Sequence, residues 1–301
     1  MSTPKDHHYV PRSFFKPWTN RVLEVVVYER KKGVILQPYR QSTKSICAQP
    51  GLYSYNEDVE ETRRNVIEQK LFSIIDTDGA NVLQKLLKMD GVVKLSKNER
   101  YSFAVFINSL RIRTPESIEY NSQNTERVLR ESLGKNDPKL EEKEIKEQLD
   151  GLTLLEWTEK TQPALLKNKG RELIGNFIVD KKFVNRIYEM QWAVVKREST
   201  DTNLLSSDRP LILIGRQSDS NLGFALSISP NRIFLASSRP ESLEHFLSRS
   251  QKDSIRHMNA LTIQQAKCKA FSSDKKHSLR FFENRLGRHH GILPWSEVNK
   301  A

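Results

Sequence analysis

The spacing of the apolar residues changes three times along the chain, and this feature constrains the fold more than any other. Two β-rich runs, Val22–Tyr28 and Val34–Tyr39, flank Glu29–Gly33, which is typical of a β-hairpin with a glycine-containing loop. From Glu61 the apolar residues recur at helical intervals, and short strand-like runs return near residue 191 before helical spacing resumes. This order of strands, helices, strands and helices predicts an α+β fold rather than alternating βαβ units.

We expect one domain over residues 1–301, built from four parts. The parts are the N-terminal motif and hairpin 1–60, the helical region 61–185, the strand-rich region 186–240 and the C-terminal helices 241–301. The hairpin and the late short strands are expected in a mixed or antiparallel sheet, with the large central helical region packed on one side. The 13 Phe, 8 Tyr and 4 Trp residues indicate a substantial core.

Local signals predict where several helices begin and end. The stretch Ser96–Glu99 is a capping-box pattern at the start of a helix with an apolar stripe. Gly79 lies within an earlier helical stretch and indicates a bend or a close contact with another helix. Near the C-terminus, helices are predicted over the approximate ranges Glu241–Arg256, Leu261–Lys269 and Ser278–Gly287.

The composition excludes several classes of protein. The two cysteines, Cys47 and Cys268, lie far apart and form neither a disulfide framework nor a C-x-x-C metal site, so buried thiols are expected. No apolar run approaches the ~20 residues that a membrane span requires, and the start of the chain lacks the apolar stretch of a signal peptide. We therefore expect a soluble, cytoplasmic protein with no membrane partner.

The net charge of +12 is concentrated at the two ends of the chain. Residues 1–40 contribute +5 and residues 239–301 contribute +6, and all seven histidines lie in these two regions. If the ends meet in the fold, they form one basic, histidine-bearing face that attracts nucleic acid or another polyanion. Surplus lysine and arginine that serve only solubility are the alternative.

The segment HHYVPRSFF, which begins with His7 and His8, predicts a polar site completed later in the chain. Val10-Pro11 holds the backbone extended after the histidines, and the following aromatic residues are suited to anchor it by burial. Neighbouring residues of an extended segment point to opposite faces, so one histidine is expected in the site while the other braces the turn. An imidazole can act there as acid, base, metal ligand or phosphate donor. An exposed terminal pair is the alternative.

Polar residues elsewhere could complete such a site. Asp208 lies in the segment SSDRP beyond a strand, where it could bind a metal, orient a histidine or accept a proton, or serve ordinary turn chemistry. Arg113, near a helix end, could recognise phosphate or favour the helix dipole. Glu68 and Asp76 lie two turns apart on one helix and could project to one side, although surface carboxylates are common.

Other signatures are weak or missing. Arg285 and the pair His289-His290 have a spacing found in some helical ribonucleases, but Gly287 interrupts the helix. The chain has no Walker loop, G-x-G-x-x-G, G-x-S-x-G, H-E-x-x-H or zinc-finger spacing. The opening is similar to the start of HNH nucleases, yet no Asn-x-x-x-His follows at a suitable distance. The cofactor stays unknown, with a divalent metal as the candidate.

The opening HHYVPRSFFKPW, together with the later SSDRPL and SISPNRIFLA, resembles the bacterial family known as domain of unknown function 4238. The resemblance covers most of the chain, including the helix with Glu68 and Asp76. It implies a role in anti-phage defence without naming a reaction. The polar positions that it carries over are His7, His8, Arg113, Ser207, Asp208, Pro210, Ser229, Pro230 and Asn259.

The leading hypothesis is a nucleic-acid- or nucleotide-directed hydrolase of nuclease type that acts in phage defence. His7 or His8 would supply acid-base chemistry or metal ligation, and Asp208 would orient that histidine or share the metal. The predicted substrate-binding residues are Arg12, Arg113, Ser207 and Asn259. One alternative is a non-catalytic sensor or binding module that recognises nucleic acid or a phage component through the basic face. The other is a purely structural brace made of the same residues.

Overall fold

A computed structural model describes residues 6–55, 67–135, 149, 151–198, 202–215, 222–248 and 250–287. Its helices are α1 Arg12–Phe15, α2 Ser73–Leu86, α3 Lys97–Ile112, α4 Pro115–Leu133, α5 Leu154–Thr161, α6 Pro163–Glu172, α7 Ile174–Ile178, α8 Lys181–Glu189, α9 Pro240–Leu247, α10 Gln251–Gln265 and α11 Leu279–Glu283. A 3-10 turn at Lys16–Trp18 follows α1, and a π-helical segment at Ile67–Phe72 leads into α2.

The strands of the described residues are short and occur in two groups along the chain. They are β1 Asp6–His8, β2 Glu24–Lys31, β3 Val34–Ile35, β4 Tyr39–Ser42, β5 Ala48–Pro50, β6 Gly91–Val92, β7 Gln191–Lys196, β8 Ser206–Ser207, β9 Ile212–Ile214, β10 Gly223–Ser229, β11 Arg232–Ser237 and β12 Lys269–Ser272. Among these strands every pairing is antiparallel, and the predicted α+β class is confirmed.

The described strands divide between two larger sheets and a small ribbon. The hairpin strands β2 and β3 join the late strands β12 and β8 in the order β3-β2-β12-β8, with β4 also paired to β2. The remaining late strands form a second sheet in the order β6-β7-β11-β10-β9, and β1 pairs with β5. The hairpin therefore pairs with the late strand β12, whereas most of the predicted late strands pair among themselves.

The hairpin turn between β2 and β3 follows the predicted glycine signal. Lys32 and Gly33 both have positive φ values, 49° and 85°. Positive φ at both central residues is the geometry of a two-residue type I′ turn, whose twist matches that of the flanking strands. The glycine satisfies this geometry without steric cost, so the position of the turn fixes the register of Arg30 opposite Ile35.

The second sheet is buried on both faces. In β11, Phe234 and Ala236 belong to the apolar cluster shared with the central helices, whereas Ile233 and Leu235 belong to the cluster shared with α9 and α10. Alternate residues of a strand point to opposite faces, so two helical layers enclose this sheet. Phe103 of α3 packs edge-on against Phe234 with 5.2 Å between ring centroids, which fixes the central helices against one face.

The C-terminal helices begin and end at positions that differ from those predicted. The predicted helix Glu241–Arg256 is divided into α9 and α10, because the Ser250 side chain accepts a hydrogen bond from the Asp253 amide and caps a new helix. The next predicted helix, Leu261–Lys269, is the end of α10 followed by β12. The capping box Ser96–Glu99 is confirmed at the start of α3.

Both thiols are sheltered in the described structure. Cys47 is buried and Cys268 is half-buried, and both are free. Burial raises the pKa of Cys47 well above its ordinary value and that of Cys268 to about 12, with the charge of Asp208 as the next cause in each case. None of the helices within the described ranges is both long and apolar enough to cross a membrane.

Gly79 marks a close contact between α2 and α3. A Cβ built at this position would lie 2.2 Å from Cδ2 of Phe106, far inside any normal contact. We expect Gly79→Ala to lower the free energy of unfolding by about 1–3 kcal/mol, because the added methyl overpacks the interface. Gly175→Ala is the control, since its Cβ would approach only a Leu71 methyl at 3.4 Å. Urea denaturation measures both, and equal effects would contradict the assigned packing.

Candidate functional site

The N-terminal strand places its two histidines on opposite sides. In the pairing of β1 with β5, His7 lies opposite Gln49 and His8 lies opposite Ala48. His7 is fully buried and His8 is half-buried. This is the alternation predicted for an extended segment, with one side chain facing the interior and its neighbour nearer the solvent.

The buried His7 is held by the turn that follows β5. The Tyr53 amide donates a hydrogen bond to Nδ1 of His7 at 3.0 Å, and the two rings stack at 5.4 Å with an interplanar angle of 5°. Because Nδ1 accepts a hydrogen bond from the Tyr53 amide, a neutral His7 carries its own proton on Nε2. Tyr53 therefore fixes both the position and the tautomer of this ring.

The same tyrosine joins the histidine strand to the end of α3. Its hydroxyl lies 3.1 Å from the main-chain oxygen of Arg113 and 3.4 Å from that of His8. Its ring packs at 4.4 Å from Phe72, at the start of α2. Tyr53 thus brings three distant parts of the chain together. Its only local signal is its position after the Pro50-Gly51 turn, which does not predict this role.

Arg113 lies at the centre of this cluster with no exposed surface. Its Nη1 donates to Oδ1 of Asp76 at 2.7 Å, and its guanidinium carbon lies 5.3 Å from the centroid of the Phe72 ring. The Nε and Nη2 groups are buried and have no hydrogen-bond partner among the described residues. An unsatisfied buried donor costs about 1–3 kcal/mol. Arg197 also has buried Nε and Nη2 groups without a partner among the described residues, but only Arg113 has them beside a histidine and a partly exposed carboxylate.

The half-buried His8 lies close enough to Asp76 for their charges to interact. Burial raises the pKa of Asp76, while Arg113 and, more weakly, His8 act to lower it. Burial lowers the pKa of His8 from its ordinary value of 6.5, and the positive charge of Arg12 adds to this effect. The structure therefore groups His8, Asp76, Arg113 and the exposed Arg12. These four residues, together with His7 and Tyr53, are called the histidine cluster below.

The hydrogen bond of His8 leaves one ring nitrogen for chemistry. Its Nε2 lies 3.2 Å from the Lys44 carbonyl oxygen, which can only accept, so Nε2 carries the proton. In the neutral ring, Nδ1 then carries the lone pair, and the backbone of Thr43 makes a second hydrogen-bond interaction with the ring. Nδ1 can accept a proton or bind a metal, as predicted for one of the two histidines.

Asp208 has a different position from the one predicted. Its carboxylate accepts hydrogen bonds from the Lys267, Cys268 and Lys269 amides at 2.8, 2.9 and 3.0 Å, and it is buried. It therefore fixes the bend between α10 and β12. Since backbone amides occupy the carboxylate, its hydrogen bonds to the described residues do not support its expected role in orienting a histidine, and that role stays a prediction. Asp76 takes the corresponding place beside His8.

Two of the predicted substrate-binding residues also hold backbone. Oδ1 of Asn259 accepts from the Leu205 amide at 2.8 Å, and its Nδ2 donates to the Asn203 carbonyl at 2.9 Å. Ser207, in β8, accepts a hydrogen bond from the Arg209 amide at 3.2 Å. Of the four predicted binding residues, the structure brings Arg113 and Arg12 to the histidines and uses Ser207 and Asn259 to brace the strand β8.

The N-terminal segment nevertheless packs onto the late part of the chain. Nε1 of Trp18 donates to the Leu204 carbonyl at 3.0 Å, and Phe15 lies 5.0 Å from Phe271. The charge of Asp208 also contributes to raising the pKa of Tyr9 above its ordinary value, although burial is the main cause. The predicted return of the first residues to the late loops is therefore observed for Tyr9, Phe15 and Trp18 rather than for the histidines.

Some predicted features lie outside the described residues. These are the side chain of Glu68, which precedes Asp76 by two helical turns, and the pair His289-His290. Within the ranges that the structure describes, no group of three or more His, Cys, Asp or Glu side chains has the arrangement of a metal site.

The fold and the site together define an α+β protein in which a short N-terminal strand carries a histidine near the ion pair of Asp76 with the buried Arg113. The model of the family described as "Protein of unknown function (DUF4238)" matches residues 6–276, so the chain belongs to this family. The predicted resemblance to this family is thereby confirmed. No curated protein and no solved structure matches the chain.

The position of Asp208 generates a stability prediction. Asp208→Asn replaces an acceptor oxygen with an NH₂ group that faces backbone N–H donors, so we expect the free energy of unfolding to fall by about 1–3 kcal/mol. Asp253→Asn is the matched control, because Asp253 is exposed and its carboxylate accepts from the Ser250 hydroxyl. Urea denaturation gives both values. An Asp208→Asn protein as stable as the control would restore Asp208 as a candidate for chemistry.

Proposed function

We propose that the protein is a nucleic-acid- or nucleotide-directed phosphoester hydrolase of nuclease type, with the histidine cluster as its active site. The observation that carries the proposal is the buried guanidinium of Arg113, which has two unused N–H donors beside His8 and Asp76. A ligand with several acceptor oxygens would satisfy these donors. Phosphate has such oxygens, and the planar guanidinium fork matches them.

Asp76 prepares Arg113 for this role. The 2.7 Å bond to Nη1 holds one side of the guanidinium, so the remaining donors keep a fixed direction. The carboxylate also offsets part of the cost of burying the cation. Its side chain is 26% exposed, so solvent reaches the carboxylate, whereas the Arg113 side chain has no exposed surface. A ligand that binds the Arg113 donors must therefore displace some of the groups that cover them.

His8 has the properties of a general base. Its lowered pKa keeps the ring neutral at pH 7, and the Nε2 contact with the Lys44 carbonyl leaves the lone pair of the neutral ring on Nδ1. In the proposed reaction Nδ1 accepts a proton from a water molecule as its oxygen bonds to phosphorus, and the ester P–O bond breaks. The proton then passes to the leaving oxygen. Arg113 stabilises the negative charge that develops on the phosphoryl oxygens.

The surroundings of the site favour a polyanionic substrate. Arg12 is exposed near His8, and residues 1–40 carry a net charge of +5. Positive potential at an opening raises the encounter rate with nucleic acid. A divalent metal that the phosphate would bind belongs to the same proposal, as do a cytoplasmic location and a role in anti-phage defence. The defence role is supported by the family resemblance alone.

Two other functions compete with this proposal. A binding module that uses the basic face would recognise nucleic acid or a phage component without cleaving it, and the charge distribution favours it. The structural-brace hypothesis draws support from Asp208 and Asn259, whose side chains bind backbone. It does not account for Arg113, since a brace has no need for unused buried donors.

Substitutions in the histidine cluster test the hydrolase directly. We expect His8→Ala to lower the rate of phosphodiester cleavage by about 10²–10⁴-fold, because the general base is lost. Asp76→Asn should lower it by at least about tenfold through loss of Arg113 orientation. The assay uses bis(p-nitrophenyl) phosphate and labelled single-stranded DNA and RNA, each with Mg²⁺, with Mn²⁺ and with a chelator.

Asp78→Asn is the control for Asp76→Asn, since Asp78 lies on the same helix and is exposed. Circular dichroism and urea denaturation show whether each variant is folded. Wild-type protein that cleaves none of the substrates under any metal condition, but binds them with strong salt dependence, would replace the hydrolase with the binding module. Equal cleavage by His8→Ala and wild type would remove His8 from the reaction.

The lowered pKa of His8 predicts the pH dependence of the reaction. The neutral ring is the active form, so kcat/KM is constant above the pKa and falls by about tenfold per pH unit below it. Because burial lowers that pKa, the midpoint of the fall lies below the ordinary 6.5. A rate profile between pH 4.5 and 8 measures it. A midpoint above pH 6.5 would contradict the assignment of His8 as the general base. The same fall of kcat/KM at low pH in the residual activity of His8→Ala would also contradict it.

A further inference from the structure

A cleft of about 330 Å³ lies in the C-terminal part of the fold. It is bounded by α10, the segment near Thr202 and the residues that lead into α11. Its lining residues are Thr202, Lys252, Ile255, Arg256, Asn259, His277, Ser278 and Phe281. None of them belongs to the histidine cluster, so the cleft is a separate feature. Its volume is at the lower end of the range of small-molecule sites, about 300–1,000 Å³.

One side of the cleft is basic. Lys252 and Arg256 are exposed residues four positions apart on α10, so their side chains lie one above the other on the same helical face. Among the described residues, the lining contains no aspartate or glutamate. The nearby carboxylate of Asp274 accepts from Asn203 Nδ2 at 2.9 Å and from the Lys276 amide at 3.1 Å. With the Asp274 carboxylate counted, the two cations of the lining still leave a net positive charge among the described residues at the cleft.

The other side of the cleft is apolar and partly aromatic. Ile255 is buried and Phe281 is half-buried. The guanidinium carbon of Arg285 lies 4.9 Å from the centroid of the Phe281 ring, and Phe282 packs edge-on against it at 5.7 Å. These neighbours hold the Phe281 ring in place beside the opening. A fixed aromatic ring is a surface on which a planar group can stack.

His277 adds an unsatisfied polar group to the wall. Its side chain is 7% exposed, and its Nε2 has no hydrogen-bond partner among the described residues. Tyr28 and Phe282 pack edge-on against the ring at 6.1 and 6.2 Å. Burial lowers its pKa, with Asp274 acting in the opposite direction, so the ring is neutral at pH 7. A neutral imidazole can exchange a hydrogen bond with a ligand in the cleft that it lines.

We infer that this cleft binds a small molecule that carries both a phosphate and a planar ring, with a mononucleotide as the representative ligand. Lys252 and Arg256 bind the phosphate, and the hydroxyls of Thr202 and Ser278 supply neutral hydrogen bonds. The planar ring packs against Phe281 and Ile255. This site is independent of the proposed hydrolase chemistry, since it shares no residue with the histidine cluster.

Isothermal titration of the full chain with AMP, adenosine and inorganic phosphate tests the inference. AMP is expected to bind saturably and more tightly than either fragment. The double variant Lys252→Ala with Arg256→Ala should weaken AMP binding at least about tenfold, since both phosphate contacts are lost. Phe281→Ala should weaken AMP and adenosine and leave phosphate binding unchanged.

Lys275→Ala with Lys276→Ala is the matched control, because it removes the same charge from exposed residues that do not line the cleft. It should retain AMP binding, and so should His8→Ala. If both double variants lose the same amount of AMP affinity, AMP is held by general charge attraction, and the proposed site is wrong. Loss of binding in His8→Ala would place AMP at the histidine cluster and also overturn it. The absence of saturable binding by all three probes would do the same.

Discussion

The backbone pairing of β1 with β5 is the constraint on which the proposed site depends. It fixes His8 opposite Ala48 and leaves only one face of the strand for each histidine. A three-residue strand cannot hold itself in place. Trp18 supplies the anchor, because its buried indole donates to the Leu204 carbonyl across 186 residues of sequence. The early chain is thus tied to the late chain, and the histidines are positioned as a consequence.

Within the histidine cluster, the free-energy cost of burying polar groups without partners falls mainly on Arg113. Arg113 is buried against Phe72 with a single carboxylate partner, and Tyr53 holds its main-chain oxygen. A side chain of this kind is rarely retained for stability, since apolar residues of similar volume often serve as well. Where local rules of burial and pairing are broken, function is the usual reason. The buried arginine therefore points to a ligand more strongly than the histidines do by themselves.

Part of this arrangement was predictable from local sequence, and part was not. Alternation in an extended segment correctly separated His7 from His8, and the glycine pattern correctly placed the contact of Gly79. Asp208 could not be assigned, because a serine-aspartate turn looks the same whether its carboxylate meets a ligand or backbone. The amides that decide the matter lie about sixty residues further along the chain. Tyr53 was missed for the same reason, since its partners are set by tertiary contacts alone.

Phosphate binding by the buried donors of Arg113 can be tested with a crystal structure of the protein in tungstate, an analogue of phosphate with a strong anomalous signal. If Arg113 and His8 bind the phosphate of the substrate, we expect an anomalous peak within hydrogen-bond distance of the Nε and Nη2 donors of Arg113 and close to Nδ1 of His8. No peak at this position at saturating tungstate, with both donors bonded to groups of the protein itself, would contradict it. The histidine strand would then be a structural element, and the buried arginine its support.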